Sequence, residues 1–518
     1  MEARCTHRVG CIGCLRPIRV SGGATQNCCV DFAACLMCMT LFNARSLVAS
    51  PSKTPPLRID LPLIPLGHLP SACTTDAVAI GRRMDPYYSD VWGAGSKVSW
   101  MSIRTARAQA SEGVGRLPKS LDISSAEAKT RLHDLSRLSK KLDVLGVLDS
   151  WRTVTGEQLA AFTGQAGLAS GKSETLAGLF ASELIDFGVF SNGLIRTTGS
   201  SKATIYRTNT TGVFARDVDP MLTYAEWVAV TGGVQDRVGG GQQSDRHNVI
   251  ATELALRIAE VCDVGAVVGE KLSLVDLLAY TGLGLPSKGP GHTSSADFTV
   301  LRHDGLRIAF EVTATIGHGL QHKIQNWADL LSERRMNNSA LAVMFVLADK
   351  RAGKSEANAV RNTLYRMVRD ACRITPGVSF DRVASKIGVA DLREWFPEPG
   401  YVSPSFFTLD CDRPVGPFNE LWERASFLDE TSVPFKPRSR WAEDALDNMA
   451  LLRGVPHWLR AGRKPPELWK VLLAGSGRTE IPIVQAVASP AGRPTRPFGE
   501  AFGVAGPVLP PKRMRSIR

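Results

Sequence analysis

The stretch Ala296-Asp-Phe-Thr-Val-Leu-Arg-His-Asp-Gly-Leu-Arg-Ile-Ala-Phe-Glu-Val-Thr-Ala-Thr315 decides the fold of this chain. Its central Asp304-Gly305 separates two runs of alternating apolar and polar residues, a pattern typical of a β-hairpin. The two-residue period of a strand puts Glu311 on the opposite face from its apolar neighbours. We therefore predict a hairpin that buries its apolar face and points Glu311 outward beside Asp297.

The segments on either side of the hairpin complete a larger unit. A helical period over His247–Val261 and a strand-like run at Val264–Val268 precede it. A helix over His318–Arg335 and a buried strand over Leu341–Leu347 follow it. The predicted order is helix, strand, two-stranded hairpin, helix, strand, and we assign this αβββαβ domain to residues 246–400.

Two acidic side chains on adjacent strands are candidates for metal chemistry. Asp297 begins the first strand of the hairpin, and Glu311 lies near the end of the second. Such a pair can hold a divalent cation that activates water against a phosphodiester. Glu253 on the preceding helix is a candidate third ligand. The competing interpretation is a solvated sheet face that carries two acids by chance.

The order of elements, with Asp297 and Glu311 in these places, resembles the core of the PD-(D/E)XK nuclease superfamily. The resemblance implies Mg²⁺ or Mn²⁺ as cofactor, with Asp297, Glu311 and Glu253 as metal ligands. Ala296 stands where the superfamily has proline, and Thr313 stands where it has the catalytic lysine. A neutral hydroxyl cannot supply that positive charge. We expect Lys323, on the following helix, to return an ammonium group to the site.

Residues 124–212 have the pattern of a winged helix-turn-helix domain. A helical period begins at Ser124, a short helix is capped by Thr155 and stopped by Gly164, and a second helix is capped by Ser173. Two short alternating runs then predict a hairpin. The expected DNA contacts come from the start of the second helix and from the hairpin: Lys172, Ser173, Thr175, Arg196, Lys202 and Arg207.

A protein-docking role for this module is the alternative, since Glu174 at the base-reading end repels phosphate. The triplet Gly171-Lys172-Ser173 looks like the end of a phosphate-binding loop, but the motif needs glycine where Ala166 stands. We therefore expect no bound nucleotide.

The winged-helix pattern followed by Glu311-x-Thr313 and Lys323-Ile324 resembles the replication-relaxation family of actinobacterial plasmids and integrative elements. The resemblance covers roughly residues 124–400. It implies a multidomain α+β or α/β protein that acts on double-stranded DNA in plasmid replication, relaxation or mobilisation. It also implies a relaxase or replication initiator as a possible partner.

Composition limits the other classes of protein. The 518 residues are 44% hydrophobic and carry 62 Lys+Arg against 50 Asp+Glu, a net charge of +12 that favours an anionic partner. No uninterrupted apolar run reaches the length of about 18 residues that a transmembrane helix needs. Eight of the 11 cysteines precede residue 74. The remainder is poor in cysteine, which predicts a reduced, cytoplasmic protein.

The first 123 residues are interpreted as a disordered leader, with Met84 or Met101 as alternative starts of a folded protein that begins near residue 124. Cys11, Cys14, Cys35 and Cys38 have the spacing of a zinc site, but the proline-rich flanks have no period, and zinc is disfavoured.

Residues 213–245 are predicted to be a linker, 401–487 a C-terminal extension and 488–518 a basic disordered tail. A basic helix over residues 350–373 is a candidate phosphate-facing surface. Three functions stay open: a DNA-binding protein with a doubtful nuclease site, an active Mg²⁺-dependent endonuclease or nickase, and a protein-interaction scaffold.

Overall fold

The computed structural model describes residues 51–68, 81–114, 122–192, 204–232, 245–273, 296–348, 354–436 and 442–461, apart from short gaps inside these ranges. The four candidate zinc cysteines and the basic tail lie outside the described residues. Within the described part of the chain, no helix is both long and apolar enough to cross a membrane.

The N-terminal half combines a small sheet with short helices. The strands of this half are β1 Ile64–Pro65, β2 Ser96–Met101, β3 Thr153–Thr155, β4 Ile185–Asn192 and β5 Thr204–Thr208. Its helices are α1 Ile103–Ser111, α2 Ser125–Leu132, α3 Leu138–Trp151, α4 Gly156–Thr163, α5 Glu174–Ala181 and α6 Tyr224–Thr231. Strands β2 to β5 form an antiparallel sheet in the order β2-β4-β5-β3.

The C-terminal half is built on a larger mixed sheet. Its strands are β6 Ala266–Gly269, β7 Phe298–Leu301, β8 Arg307–Thr313, β9 Leu341–Leu347, β10 Gly377–Val378, β11 Asp381–Arg382, β12 Ile387–Asp391, β13 Tyr401–Val402, β14 Asp410–Val415 and β15 Leu421–Ser426. Its helices are α7 Asp245–Val261, α8 His318–Ser332, α9 Met336–Ser339, α10 Lys354–Ile374, α11 Leu392–Trp395 and α12 His457–Arg460. The prediction of a mixed α/β protein is confirmed.

The seven-stranded sheet has the order β15-β14-β12-β9-β8-β7-β6. Strands β8, β9 and β12 are parallel, and the remaining pairs are antiparallel. All seven residues of β9 are buried, which explains why the strand is a continuous apolar run. The predicted hairpin is confirmed as β7 and β8, and Gly305 in its turn has a φ of 90°, in the region that favours glycine.

The two halves pack against each other through α3, α4 and α7. The Trp151 ring lies 5.0 Å from the ring of Phe162 within the first half and 6.4 Å from Phe298 on β7. Asp245, the first residue of α7, is fully buried and accepts hydrogen bonds from Trp100 Nε1 (2.9 Å) and Thr153 Oγ1 (3.1 Å). The described residues of the two halves therefore share one core.

The expectation that the folded protein begins near residue 124 is wrong. Leu66 and Tyr88 are buried, and β2 pairs with β4 along its length. Arg83 is completely buried between the carboxylates of Glu253 and Glu260 on α7. Residues that composition alone assigned to a leader therefore contribute a strand and a buried charge.

Two predicted boundaries are also wrong. The supposed linker 213–245 contains α6, whose Trp227 is buried and which packs against α3. The domain does not end at residue 400, because β14 and β15 extend its sheet. After them Leu446, Met449 and Leu452 pack on β6 and β7. The two alternating strands of this extension were not recognised in the sequence.

Candidate functional site

The candidate site lies where the hairpin meets the starts of two helices. Asp297 immediately precedes β7, and its backbone N–H donates to the Phe310 carbonyl (2.9 Å). Its Oδ2 accepts the N–H of Val312 (2.6 Å), and its Oδ1 lies 2.8 Å from His247 Nε2. Asp297 and the Glu311 region are thus adjacent, as the sequence predicts.

Glu311 occupies the face of β8 that α8 covers. Trp327 on α8 donates its indole N–H to Glu311 Oε1 (2.6 Å), and Lys323, one turn earlier, contacts Oε2. The carboxylate is only 3% exposed. The expectation that Glu311 points into solvent is therefore wrong. The period of the strand placed it correctly on the polar face, but the sequence could not show that α8 lies over that face.

Lys323 brings an ammonium group to the pair of acids. It lies near the start of α8, and its side chain is 33% exposed while it pairs with Glu311. Thr313, two residues beyond Glu311, is half-buried at the end of β8. Lys323 thus brings to the site the positive charge that Thr313 cannot provide, as the sequence predicts.

Three further groups belong to the site and were not recognised as such in the sequence. His247 is the third residue of α7 and contacts Asp297. Glu270 directly follows β6 and pairs with Arg152 of the N-terminal half (2.7 Å). Arg152 ends α3 with a φ of 64°, a conformation that costs a non-glycine residue energy and often accompanies functional sites. No local pattern marks these residues, because each of the three lies on a different segment of the chain.

The charges of the cluster are coupled. Burial and the neighbouring Asp297 raise the pKa of Glu311 to about 7, although Lys323 opposes the shift. The pKa of Lys323 is raised, because the carboxylates of Glu311 and Asp297 outweigh the opposing effect of burial. Asp297 raises the pKa of His247, whereas burial lowers it. Burial would raise the pKa of Asp297, but His247 and Lys323 lower it overall. The cluster therefore favours the protonated, cationic forms of Lys323 and His247 beside Asp297.

Glu253 is not part of this cluster, and its prediction as a metal ligand is wrong. It is fully buried and bound by Arg83 Nε (3.1 Å), Arg257 Nε (2.9 Å) and the Tyr88 hydroxyl (3.0 Å). At 100° per residue, six positions along a helix correspond to about 240°. His247 and Glu253 therefore face different directions on α7.

The donor set of the cluster does not fit a resident Mg²⁺ or Mn²⁺ as it is arranged. These ions require several oxygen ligands and an excess of negative charge. Each of the four carboxylate oxygens of Asp297 and Glu311 already faces a nitrogen, from His247, Val312, Trp327 or Lys323. Within the described ranges, no group of three His, Cys, Asp or Glu side chains is placed to hold a metal.

The predicted DNA contacts are described only in part. Ser173 caps α5 by accepting the N–H of Leu176, and the adjoining Thr175 is half-buried. The Arg207 guanidinium lies 4.2 Å from the centre of the Trp100 ring and pairs with Asp186 (3.4 Å). It is therefore held within the small sheet. Lys172, Arg196 and Lys202 lie outside the described residues.

The predicted caps of the first half are confirmed. Thr155 and Gln158 form a reciprocal capping box at the start of α4, and Gly164 ends the helix with a φ of 69°. The basic helix is α10, but Arg361 on it is buried against Asp391, Glu394 and Asp412. That arginine is unavailable to phosphate.

Comparison with known proteins found no relative of this chain. No family model matches the chain, and no curated protein or solved structure matches it either. The resemblance to the replication-relaxation family therefore stays a prediction from the sequence.

Proposed function

We propose that this protein binds double-stranded DNA of a mobile element, in its replication, relaxation or mobilisation, and that its nuclease-like cluster is held closed. The observation that carries the proposal is the occupation of all four oxygens of Asp297 and Glu311 by nitrogen groups of the chain itself. The ammonium of Lys323 and the protonated imidazole of His247 thus offset the negative charge of the two acids internally. The αβββαβ unit would then serve as a scaffold.

The arrangement of the N-terminal half supports DNA binding. Helix α3, strand β3, helices α4 and α5, and the β4–β5 pair follow one another in the order of a winged helix-turn-helix domain, and β3 pairs with β5. Arg137 is an exposed cation beside the start of α5, and Lys129 and Lys140 are further exposed cations of the same half. Glu174 at this end pairs with Arg137 (3.1 Å), so the carboxylate that would repel phosphate is partly neutralised there.

Cleavage is the second candidate function, and one observation favours it. Lys323 contacts Glu311, and both interact electrostatically with Asp297; this is the combination of groups that the nuclease superfamily uses. A divalent cation would supply an activated water there. Lys323 would have to leave Glu311 for that ion to be bound, and its partial exposure leaves room for such a movement.

The test uses the full chain, purified free of host nucleases, with supercoiled plasmid in Mg²⁺ or Mn²⁺ and a parallel binding lane in EDTA. We expect a shifted, uncut plasmid and an affinity that falls steeply with salt, because phosphate contacts release counterions. A Lys172→Ala, Lys202→Ala double variant should bind more weakly, with the slope of log K against log salt reduced by about two.

Asp297→Asn separates the two candidates. If the protein only binds DNA, the wild type and this variant both shift the plasmid and neither cuts it. Metal-dependent nicking by the wild type, lost in Asp297→Asn while binding is retained, would establish cleavage. Absence of binding even at low salt would refute both proposals.

A further inference from the structure

An apolar patch lies on three neighbouring segments at one end of the larger sheet. It consists of Ile374 at the end of α10, Val378 and Phe380 of the β10–β11 hairpin, and Phe418 in the turn between β14 and β15. Their exposed fractions are 72%, 46%, 68% and 73%. They are four of the seven exposed large apolar residues in the part of the chain that the structure describes. Clustered exposure of this kind marks an interaction surface more often than scattered exposure does.

The patch is built on a firm base. Arg382 of the hairpin donates to the carbonyls of Gly416 (2.7 Å) and Pro417 and to the Asn419 side chain (2.6 Å). The Asn419 amide in turn donates to the Cys372 carbonyl in α10 (3.0 Å). The three segments are therefore tied together beneath the exposed side chains.

An open cleft of about 620 Å³ lies within the patch. Ile374 and Phe418 form apolar walls, with Pro376 and Pro417 beside them. This volume suits one or two large apolar side chains from a bound peptide.

Arginines outnumber acids around the patch, although the Glu420 carboxylate accepts the backbone N–H of Phe418 (2.9 Å). Arg373 lines the cleft and forms no ion pair with any described residue. The Arg335 guanidinium lies 4.3 Å from the centre of the Phe380 ring. Asp370, also at the cleft, is already paired with Arg369 (3.2 Å). An approaching partner therefore meets exposed apolar groups between arginines.

The patch does not overlap the Asp297 cluster, although Thr375 beside Ile374 contacts Gln325 and Asp329 on α8. Helix α10 connects β9 to the parallel β12, so it runs from the carboxyl edge of these strands back to their amino edge. Glu311 lies near the carboxyl end of the parallel β8, whereas Ile374 ends α10. The two surfaces therefore lie at opposite edges of the sheet.

We propose that this apolar patch is a docking surface for an acidic segment of a partner protein that inserts a bulky apolar side chain into the cleft. Charge complementarity selects this occupant. In a twofold dimer through the patch, the Arg373 side chains of two copies would approach each other. The chain's own residues 488–518 carry six Lys or Arg against one Glu, so their +5 charge also fits poorly.

Single-stranded nucleic acid fits less well than an acidic protein segment. It would require successive exposed aromatic faces on which bases stack. Here Arg335 covers one face of Phe380, and Ile374 and Val378 are aliphatic. Phe418 is then the single uncovered aromatic ring of the patch.

The experiment is selection of a displayed library of random peptides on the full chain. We expect the selected peptides to share a large apolar residue flanked by Asp or Glu. Their synthetic forms, measured by fluorescence anisotropy, should bind at least tenfold more weakly to Phe418→Ser and to Arg373→Glu. Val114→Ser is the matched control, since Val114 is equally exposed (73%) and lies outside the patch.

Three results would overturn the proposal. The first is that no peptide is enriched, that the enriched peptides lack acidic residues, or that they bind Phe418→Ser as tightly as the wild type. A second is a dimer, seen by light scattering, that Phe418→Ser dissociates. A third is binding of a dT20 oligonucleotide that the same substitution abolishes. Duplex DNA binding by Phe418→Ser should match the wild type, so failure here leaves the proposed DNA-binding function standing.

Discussion

Replacing the buried Arg83 by methionine tests whether the segment before residue 124 belongs to the fold. Its guanidinium is fully buried and binds Glu260 Oε1 (2.8 Å) and Glu253 (3.1 Å) on α7. Methionine fills a similar volume but supplies no charge. Among the described residues, the substitution therefore leaves the two buried carboxylates with Arg257 as their one shared cation.

The expected loss follows from this geometry. Removing one partner of a buried ion pair costs about 3–5 kcal/mol, because the remaining charge cannot be solvated. Arg257 stays 2.9 Å from Glu253 and 3.5 Å from Glu260, so we expect the lower end of this range. A loss of that size is a large part of the ~5–15 kcal/mol that usually stabilises a domain.

The assay is urea unfolding of the full chain, followed by tryptophan fluorescence and circular dichroism. Arg104→Ala is the matched control, because Arg104 pairs with Glu183 at the surface with 65% of its side chain exposed, and its midpoint should not move. A midpoint for Arg83→Met equal to the wild type, with the same slope, would refute the assignment of residues 81–92 to the core. A protein that starts at Met101 should also fail to unfold cooperatively, since it lacks Arg83.

Two further substitutions probe the cluster and the contact between the halves, and a third serves as a control. Glu311→Gln should flatten the pH dependence of stability. The pKa of Glu311 is raised to about 7 in the folded protein, so the folded wild type holds a proton that the unfolded chain loses near pH 4.5. The stability of the wild type therefore falls as the pH rises between these two values. At 1.36 kcal/mol per pKa unit, the rise of this pKa from 4.5 to about 7 gives an effect of at most about 3.4 kcal/mol. Urea midpoints that fall equally in both proteins between pH 5 and pH 7 would contradict this prediction. Gly269→Ala should destabilise by about 1–3 kcal/mol, because a β-carbon there would lie 2.4 Å from the Ser150 carbonyl oxygen. A β-carbon at Gly178 on α5 meets nothing within 4 Å, so Gly178→Ala should instead stabilise the protein by up to about 1 kcal/mol. If thermal unfolding ranked these two variants in the opposite order, Gly269 would not be at a close contact.

Local signals in the sequence gave reliable elements. Thr155 and Gly164 bound a helix because a capping hydroxyl and a left-handed glycine act over a few residues. Asp304-Gly305 fixed the hairpin in the same way, and the run over residues 341–347 is a fully buried strand at the predicted bounds. Each of these inferences depends only on neighbours along the chain.

Interactions between distant segments could not be obtained in this way. Arg83 lies 170 residues from Glu253, and nothing in its own surroundings distinguishes it from a surface arginine. The resemblance to the nuclease superfamily predicts Glu253 as a metal ligand, because it places a third acid on this helix, but the helical phase turns Glu253 toward Arg83. A lone acidic residue on an amphipathic helix thus has two possible partners, and the tertiary fold decides between them.

Helix α7 connects the two parts of the proposed function. Near its start, His247 contacts Asp297, and the first residue of the helix, Asp245, accepts a hydrogen bond from Trp100 of the small sheet. On its buried face, Glu253 pairs with Arg83. Arg152 adds a second link, since it ends α3 and pairs with Glu270 beside the cluster. Because Asp245, Glu253 and Arg83 are buried, α7 holds the N-terminal half and the Asp297 cluster in a fixed relation. DNA bound at α5 would therefore meet the cluster at one distance and angle, so the cluster can act on that duplex only if this single geometry suits it.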